Sequence, residues 1–349
     1  MRVLVVGAGA VGQYIAGRLA LGGQEVVLLG RERQAQLLGE AGLTLVDERS
    51  RTVVPLRTAA RMDDAELQQT FELVVVAVKS YSTAEVAAQL SGLQSCTDAS
   101  VLTLQNGVGN EEILAEALGE QRVIAGALTV AVDRISETAV RTGPKGGLCF
   151  APLGQAPQNW IMPLLSSSGL RVRAVADWRA LKWSKLCINI LANAVCAVLD
   201  WTPMQVYADR TAFSVERQML LETIRVIEAQ GIDPINLIDF PAATLVHSAK
   251  LLPEAVLRVV LSGRVASARG GKLPSLLLDL RAGRPHTEVS ALNGAVALYA
   301  LKNGIGAPTN TKLSELVTAI AASQAAWQPF RNQPAALRRL VDSSIEAVS

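Results

Sequence analysis

Histidine and cysteine are scarce in this chain. Its 349 residues include 2 histidines, His247 and His286, and 4 cysteines, Cys96, Cys149, Cys187 and Cys196. No C-x-x-C pair occurs and no cysteine–histidine spacing suits a metal ion, so neither a zinc-type site nor a disulfide framework is expected. The cysteines read as reduced, buried residues of a cytoplasmic protein. Neither charge sign dominates: 33 Lys and Arg against 31 Asp and Glu leave a net charge of +2, which argues against nucleic acid as a partner. No apolar run is long enough for a bilayer, because the longest, Leu186 to Leu199, is short and broken by Asn189 and Asn193; it reads as a core helix. Internal repeats and low-complexity linkers are missing too. What remains is a 50% hydrophobic chain, able to bury a large core and long enough for two domains.

The most informative residues come first. A strand-like run, Val3-Leu4-Val5-Val6, leads into Gly7-Ala8-Gly9-Ala10-Val11-Gly12, a G-x-G-x-x-G where a dinucleotide-binding βαβ unit would begin. Gly7 permits a tight turn and Gly9 lets the backbone approach a pyrophosphate. Gly12 lets the next helix pack close to its strand, so that the helix N-terminus can hold phosphate charge. The context agrees: an amphipathic stretch from Val11 to Leu21 ends at Gly22-Gly23, and Glu25 to Leu29 reads as a second strand. Met1-Arg2 followed by small and apolar residues also mimics a signal peptide, but Gln13 and Arg18 interrupt that run. After the second strand comes Gly30-Arg31-Glu32-Arg33, where an NAD-type unit usually places an acidic residue. A guanidinium at Arg31 suits the 2′-phosphate of NADP, which is the favoured cofactor. The alternative makes Arg31 and Arg33 solvated charges and Glu32 the ribose ligand.

Leu73 to Val78, ending in Lys79, and Val101 to Leu104, ending in Gln105-Asn106-Gly107, are continuous apolar runs of the kind found in buried parallel strands. Ligands of open α/β sheets sit outside the carboxyl ends of strands, where Lys79 and Asn106 fall. Further strand candidates are Val123 to Ala127, Thr138 to Arg141, Gly147 to Phe150 and Leu170 to Ala174. From Asp177 helical periodicity takes over, clearest in Trp178 to Leu199, Thr211 to Gln230, Leu276 to Arg281 and Glu288 to Asn303. The fold class is therefore α/β, with a doubly wound Rossmann domain over residues 1–176 and an all-α domain over 177–349. Residues after about Gln328 read as a loosely attached tail.

In the first helix of the second domain, Lys185, Asn189 and Asn193 recur at intervals of four, each displaced by only ~40° about the axis, and form a polar stripe on an apolar helix. A substrate is one partner for such groups; loop carbonyls and water are the other. Ser275 opens a second helix-like segment. Glu288 follows Thr287 or His286 as a possible helix start, where the helix dipole alone also favours a carboxylate.

Taken together, these motifs resemble those of the ketopantoate reductases (2-dehydropantoate 2-reductases). The resemblance rests on G-A-G-A-V-G at the N-terminus, Gln105-Asn106-Gly107-Val108-Gly109, Trp183-Ser184-Lys185-Leu186-x-x-Asn189-x-x-x-Asn193, and Ser275-x-x-x-Asp279 leading to Thr287-Glu288-x-x-x-Leu292-Asn293-Gly294. It implies a Rossmann domain joined to a helical domain, with the active site in the cleft, and NADPH-dependent reduction of 2-dehydropantoate to pantoate in pantothenate biosynthesis. It also implies that Lys185 is the general acid and that Asn189, Asn193 and Ser275 bind substrate. Arg31, Lys79, Asn106 and Glu288 match residues near the cofactor, Asn106 reaching the substrate too.

Elementary chemistry agrees with these roles. Hydride addition to a 2-oxo acid leaves negative charge on the former carbonyl oxygen, so a cation that donates a hydrogen bond and then a proton stabilises the transition state. Glu288 would hold that ammonium or bind a substrate hydroxyl. The chain departs from the compact members of the family at Pro253 to Lys272, extra sequence just ahead of Ser275; at His286; and at Asp200-Trp201-Thr202-Pro203, where a further substrate asparagine is expected. The inserted stretch reads as an amphipathic helix ending at Gly270-Gly271, either a lid that selects the 2-oxo acid or a surface helix. Reduction of a different 2-oxo acid, opine-type condensation, and a non-catalytic NADP sensor are the competing readings. The expected partner is a small 2-oxo acid, with no membrane and with a homodimer left open.

Overall fold

The computed structural model describes residues 1–155, 159–269 and 273–346, without the side chains of residues 264–269. The chain divides into two compact units. The first comprises Met1–Gln105, Gly109–Lys182 and Leu237–Phe240; the second comprises Asn106–Val108, Trp183–Asn236 and Pro241–Ser349.

The first unit opens with β1 (Arg2–Val6), α1 (Ala10–Leu21), β2 (Glu25–Leu29) and α2 (Glu32–Ala41), followed by three strands that the sequence reading did not anticipate, β3 (Leu43–Val46), β4 (Arg51–Val54) and β5 (Arg57–Ala59). It continues through β6 (Leu73–Val76), α3 (Thr83–Ser91), β7 (Ser100–Thr103), α4 (Asn110–Leu118), β8 (Val123–Leu128), β9 (Val132–Ser136), β10 (Ala139–Thr142), β11 (Leu148–Pro152), α5 (Ile161–Ser167) and β12 (Val172–Ala174). The main sheet has 8 strands in the order β12-β11-β8-β7-β6-β1-β2-β5. All its pairings are parallel except β8 with β11. The candidate at Thr138 to Arg141 belongs instead to a second sheet, β4-β3-β10-β9.

Successive residues of β1 face opposite ways, which creates two cores. Val3 and Val5 pack with Ile15 and Leu19 of α1 and Leu165 of α5. Leu4 and Val6 pack with Val86 and Leu90 of α3 and Leu114 and Leu118 of α4. A strand apolar at every position is what a sheet covered on both faces requires. This is a doubly wound, Rossmann-like arrangement.

The division between units falls within α6 (Trp178–Ile190). The second unit continues with α7 (Ala194–Leu199), α8 (Pro203–Ala208), α9 (Arg210–Ala229), α10 (Ala242–Leu251), α11 (Glu254–Arg269), α12 (Ser275–Arg281), α13 (Asn293–Lys302), α14 (Pro308–Ala322) and α15 (Pro334–Glu346). Two expectations change here. Trp178 to Leu199 is not one helix: it breaks at Leu191–Asn193, where Ala192 takes φ +48, and Asn193 becomes the N-cap of α7. Glu288 to Asn303 likewise divides into a 3-10 turn, Glu288–Ala291, and α13. Periodicity cannot register such breaks, because both halves keep their apolar faces.

The segment Pro334–Glu346, which carries α15, is not a loosely attached tail either. Leu337 and Val341 of α15 are fully buried, and Trp327 donates its indole N–H to the Val198 carbonyl at 2.9 Å. The inserted stretch does form a helix, α11, which buries Leu257 and Leu261 and exposes Val256 and Val259. Arg258 hydrogen-bonds the Ala208 carbonyl at the end of α8. Gly270 and Gly271, where the helix was expected to end, and Lys272 lie outside the described residues.

Candidate active site

Within the first unit the glycine motif builds a cradle from backbone. Gly7 has φ +109, and a Cβ there would lie 2.8 Å from the Val78 nitrogen; a Cβ on Gly12 would lie 1.8 Å from the Gly7 carbonyl oxygen. Only glycine fits either position. Gly9 is different: it is exposed, has ordinary φ −73, and a Cβ there would meet nothing within 4 Å. The space in front of Gly9 is open to a ligand. Gly9 is also the N-cap of α1, which carries no side-chain cap and no acidic residue in its first turn, so the first helical N–H groups of Ala10, Val11 and Gly12 suit a phosphate. The loop is held from behind, since the Ala8 carbonyl accepts from Gln13 Nε2 at 3.0 Å and from Gln34 Nε2 at 2.7 Å. The residues present therefore fit a dinucleotide.

Arg31 is exposed at the N-cap of α2, directly beyond β2. Glu32 is exposed in the first turn of the same helix, so the ribose alternative keeps its acidic candidate. Lys79 is half-buried and caps a 3-10 turn, Ser80–Ser82, beyond β6.

Beyond β7 lies a buried polar group that the sequence reading missed. Lys182, 2% exposed, pairs at 2.9 Å with the fully buried Glu111 and donates to the Gln105 carbonyl at 2.7 Å. Gln105 Nε2 in turn donates to Thr83 Oγ1 at 2.7 Å. Burial pushes the Glu111 carboxyl up from its ordinary value, and the Lys182 ammonium pulls it back only in part. The one sequence hint was Lys182 itself, placed a turn before Lys185 on a helix that is otherwise mostly apolar. Its partner sits in α4, beyond the reach of any local pattern.

Within the second unit, residues distant in sequence are joined. Asn189 Nδ2 donates to Asn106 Oδ1 at 3.0 Å. Asn193 Nδ2 donates to the Asn189 carbonyl at 3.1 Å, and Asn193 Oδ1 accepts from the Leu276 N–H at 3.2 Å, which brings the Ser275 end of α12 to the same place. On the other side of Asn106, Val108 N–H donates to the Ala291 carbonyl at 3.1 Å, tying the Asn106–Val108 turn to the turn that begins with Glu288. Gly107, φ +86, makes that approach possible: a Cβ there would lie 2.2 Å from the Ala291 oxygen. Glu288 is 5% exposed and follows Thr287, whose hydroxyl caps the turn.

The structure thus connects the segments that carry Asn106, Asn189, Asn193, Ser275 and Glu288, while Gly7 to Gly12, Arg31 and Lys79 belong to the other unit. The expected stripe is corrected at one position. Lys185 and Asn189 share a face of α6, one turn apart and both half-buried, whereas Asn193 lies in the break and uses both ends of its amide to tie α6 to α12.

Where a further substrate asparagine was expected, Asp200 instead bonds Arg281 at 2.7 Å and Arg331 at 2.5 Å. Burial pushes its carboxyl up, but the hydrogen bonds from Arg331 and Arg281 outweigh that and hold it below the ordinary range. The buried Cys187 thiol is pushed up to about 12, which leaves it inert.

Known proteins match both units. The family model described as ketopantoate reductase PanE/ApbA covers residues 3–155, and that of its C-terminal domain covers residues 177–321. The chain belongs to the ketopantoate reductase family. As a member it is an oxidoreductase acting on the CH–OH group. A 2-dehydropantoate 2-reductase of Halobacterium salinarum is 30% identical over 91% of this chain and 98% of its own length. The crystal structure of a PanE/ApbA family ketopantoate reductase from Ralstonia eutropha superposes with TM-score 0.78 at 27% identity, over 93% of this chain and all of that one. D-mandelate dehydrogenase in ternary complex with NADH and anilino(oxo)acetate has the same fold, with TM-score 0.78, 22% identity, and coverage of 93% and 99% of the two chains.

Proposed function

We propose that this family member reduces 2-dehydropantoate to pantoate with NADPH. In this reading the N-terminal domain, residues 1–176, carries the cofactor, the helical domain, residues 177–349, supplies the acid and substrate contacts, and the reaction takes place in the cleft that family resemblance implies. The observation that carries it is the linkage from Ala291 through Gly107, Asn106, Asn189 and Asn193 to Leu276, which gathers the candidate polar segments beside the helix bearing Lys185.

When bound, the nicotinamide supplies a hydride to the substrate's keto carbon. Lys185 hydrogen-bonds the keto oxygen and transfers a proton to it as negative charge develops. Asn189 and Ser275, with Asn106 and Asn193, orient the 2-oxo acid through neutral donors, so its carboxylate is held without a competing cation beside the reacting oxygen. Glu288 balances the Lys185 ammonium or accepts from a substrate hydroxyl. On the cofactor side, Gly9 leaves room for the pyrophosphate, the N-terminus of α1 faces it, Lys79 adds positive charge, and Arg31 reads the 2′-phosphate.

The deciding experiment is a panel of 2-oxo acids assayed with NADPH and with NADH, following consumption of the reduced nicotinamide. Highest kcat/KM for 2-dehydropantoate with NADPH is the expected result. A higher value for another 2-oxo acid overturns the substrate, preference for NADH overturns the role of Arg31, and no turnover with any member of the panel overturns the catalytic reading.

A further inference from the structure

Helix α9 lies outside the candidate site yet packs against α7, α8, α10, α11, α13, α14 and α15. It carries two carboxylates, Glu216 and Glu222, that are completely buried. Glutamate is almost never fully buried unless it is satisfied there, because the desolvation cost is several kcal/mol. Six residues apart on a helix means ~120° around the axis and ~9 Å along it, so the two face different neighbours. We propose that Glu216 and Glu222 are positioning residues, each holding one of the segments that bear the substrate-facing groups. The inference rests on the reading of the helical unit as the one that binds substrate and supplies the acid.

Glu216 accepts from the backbone N–H of Ala192. Ala192 is fully buried and sits at φ +48, the left-handed region that an alanine rarely enters. In a continuous helix the Asn189 carbonyl would accept from the Asn193 backbone N–H four residues on. Here the chain breaks and the Asn193 side-chain amide takes that carbonyl, which frees its other end to reach the Leu276 N–H. The carboxylate that fixes Ala192 therefore fixes the geometry joining Asn189, Asn193 and the Ser275 end of α12.

Glu222 does the same for the second segment. Its Oε1 accepts from Thr309 N–H, and its Oε2 from the backbone N–H and side-chain Nδ2 of Asn310, all at 3.0 Å. These backbone groups belong to the first turn of α14, which has no side-chain cap of its own, so a carboxylate from another helix completes it. Asn310 Oδ1 then accepts from Asn293 Nδ2 at 3.0 Å, and Asn293 opens α13 immediately after the turn that contains Glu288.

The two positions differ in a way that can be tested. Glu216 makes its bond to Ala192 through one oxygen, which glutamine retains. Glu222 accepts through both oxygens, so a glutamine there turns an NH2 group towards a backbone N–H.

The experiment compares E216A, E216Q and E222Q in the full chain, by amide hydrogen exchange at Ala192, Leu276, Thr309 and Asn310 and by kcat and KM. For E216A we expect about tenfold faster exchange at Ala192 and Leu276 and about tenfold higher KM for 2-dehydropantoate, the size of one lost buried hydrogen bond, with NADPH affinity within about twofold. E216Q should keep exchange and KM within about threefold of wild type, because the acceptor survives. E222Q should exchange faster at Thr309 and Asn310 and lose about tenfold in kcat through the Glu288 turn.

Unchanged exchange and KM in E216A, or equal damage from E216A and E216Q, overturns the proposal. Should E216A fail to fold, the contrast between E216Q and E222Q decides: tolerance at 216 with damage at 222 supports positioning, and equal behaviour refutes it. If the wild type does not reduce 2-dehydropantoate, the substrate reading falls by itself, while the exchange rates still test whether the carboxylates hold these segments.

Discussion

In the first unit the groups proposed to meet the cofactor pyrophosphate are backbone atoms of one short loop, Gly7 to Gly12, shaped by missing side chains. In the second, the groups proposed to meet the substrate are side chains from separate segments, around Asn106, Asn189, Ser275 and Glu288, brought together by hydrogen bonds between those segments. A site of the first kind is broken by adding a methyl group at the right glycine. A site of the second kind is broken by removing a polar partner from somewhere else. The same fold therefore contains a site encoded locally and a site encoded by its packing.

The largest effect belongs to the group proposed to do chemistry. Lys185→Ala should lower kcat by about 10²–10⁴, the usual contribution of an acid–base group, with little change in NADPH affinity, because the groups proposed to hold the cofactor's phosphates, Gly7 to Gly12 and Arg31, belong to the first unit. Stopped-flow turnover with cofactor titration checks this; near-normal turnover would assign the proton to another group and dissolve the division of labour between the units.

Next comes the buried pair of the first unit, where the contrast between packing and chemistry is sharpest. Lys182→Met leaves Glu111 as an uncompensated buried charge, and should cost about 3–5 kcal/mol of stability. Replacing both residues, Lys182→Met with Glu111→Leu, should recover most of it. Because burial raises the Glu111 pKa, its contribution to stability is present below the ordinary glutamate value and lost as pH rises through the raised one, so Glu111→Gln should flatten the decline of Tm with rising pH. If the double variant is no more stable than Lys182→Met, the pair is not a purely structural unit.

Legibility follows the same line as this comparison. Gly7, Gly9 and Gly12 are readable in sequence because each glycine answers a local steric demand, and the apolar runs of β1, β6 and β7 are readable because a sheet covered on both faces needs them. Family resemblance singled out Asn106, Asn189 and Ser275, and the structure then connects their segments. The break at Ala192 was hidden, because helical periodicity is equally good on both sides and the group that stabilises it, Glu216, lies in α9. The place of Asn193 on the stripe was misread for the same reason. Lys182 with Glu111, and Glu222 with Asn310, were invisible because each pair bridges distant parts of the chain. The docked C-terminal helix looked like a tail since nothing local reveals that Leu337 and Val341 have a surface to cover.

Two glycine substitutions test the local half of the comparison. Gly12→Ala places a Cβ 1.8 Å from a backbone oxygen and should cost about 3 kcal/mol or more in stability, since backbone cannot yield as a side chain would. Gly9→Ala meets open space, so Tm should stay unchanged while NADPH binding weakens. Equal losses of stability would mean that the loop is shaped throughout by packing and not by a ligand.

Arg31→Ala should then cost about 2 kcal/mol of NADPH affinity and leave NADH nearly untouched, as expected for charge-assisted hydrogen bonds to a 2′-phosphate. Calorimetric titration with both cofactors separates the readings; equal losses would return the ribose to Glu32 and NAD to consideration.

The smallest effect is expected at the start of α9, and it separates stability from positioning. Asp209 caps this helix by accepting from the Ala212 N–H at 2.8 Å. Loss of an N-cap costs about 1 kcal/mol, so Asp209→Ala should lower Tm by a few degrees. Glu216 and Glu222 lie further along the helix, on faces fixed by buried neighbours, and fraying of the first turn should not reach them. KM for the 2-oxo acid and kcat should therefore stay at wild-type values well below the melting temperature, in contrast to Glu216→Ala. A rise in KM in Asp209→Ala matching that of Glu216→Ala would show that any loosening of α9 disturbs the site, and that the helix as a whole, and not its two carboxylates, does the positioning.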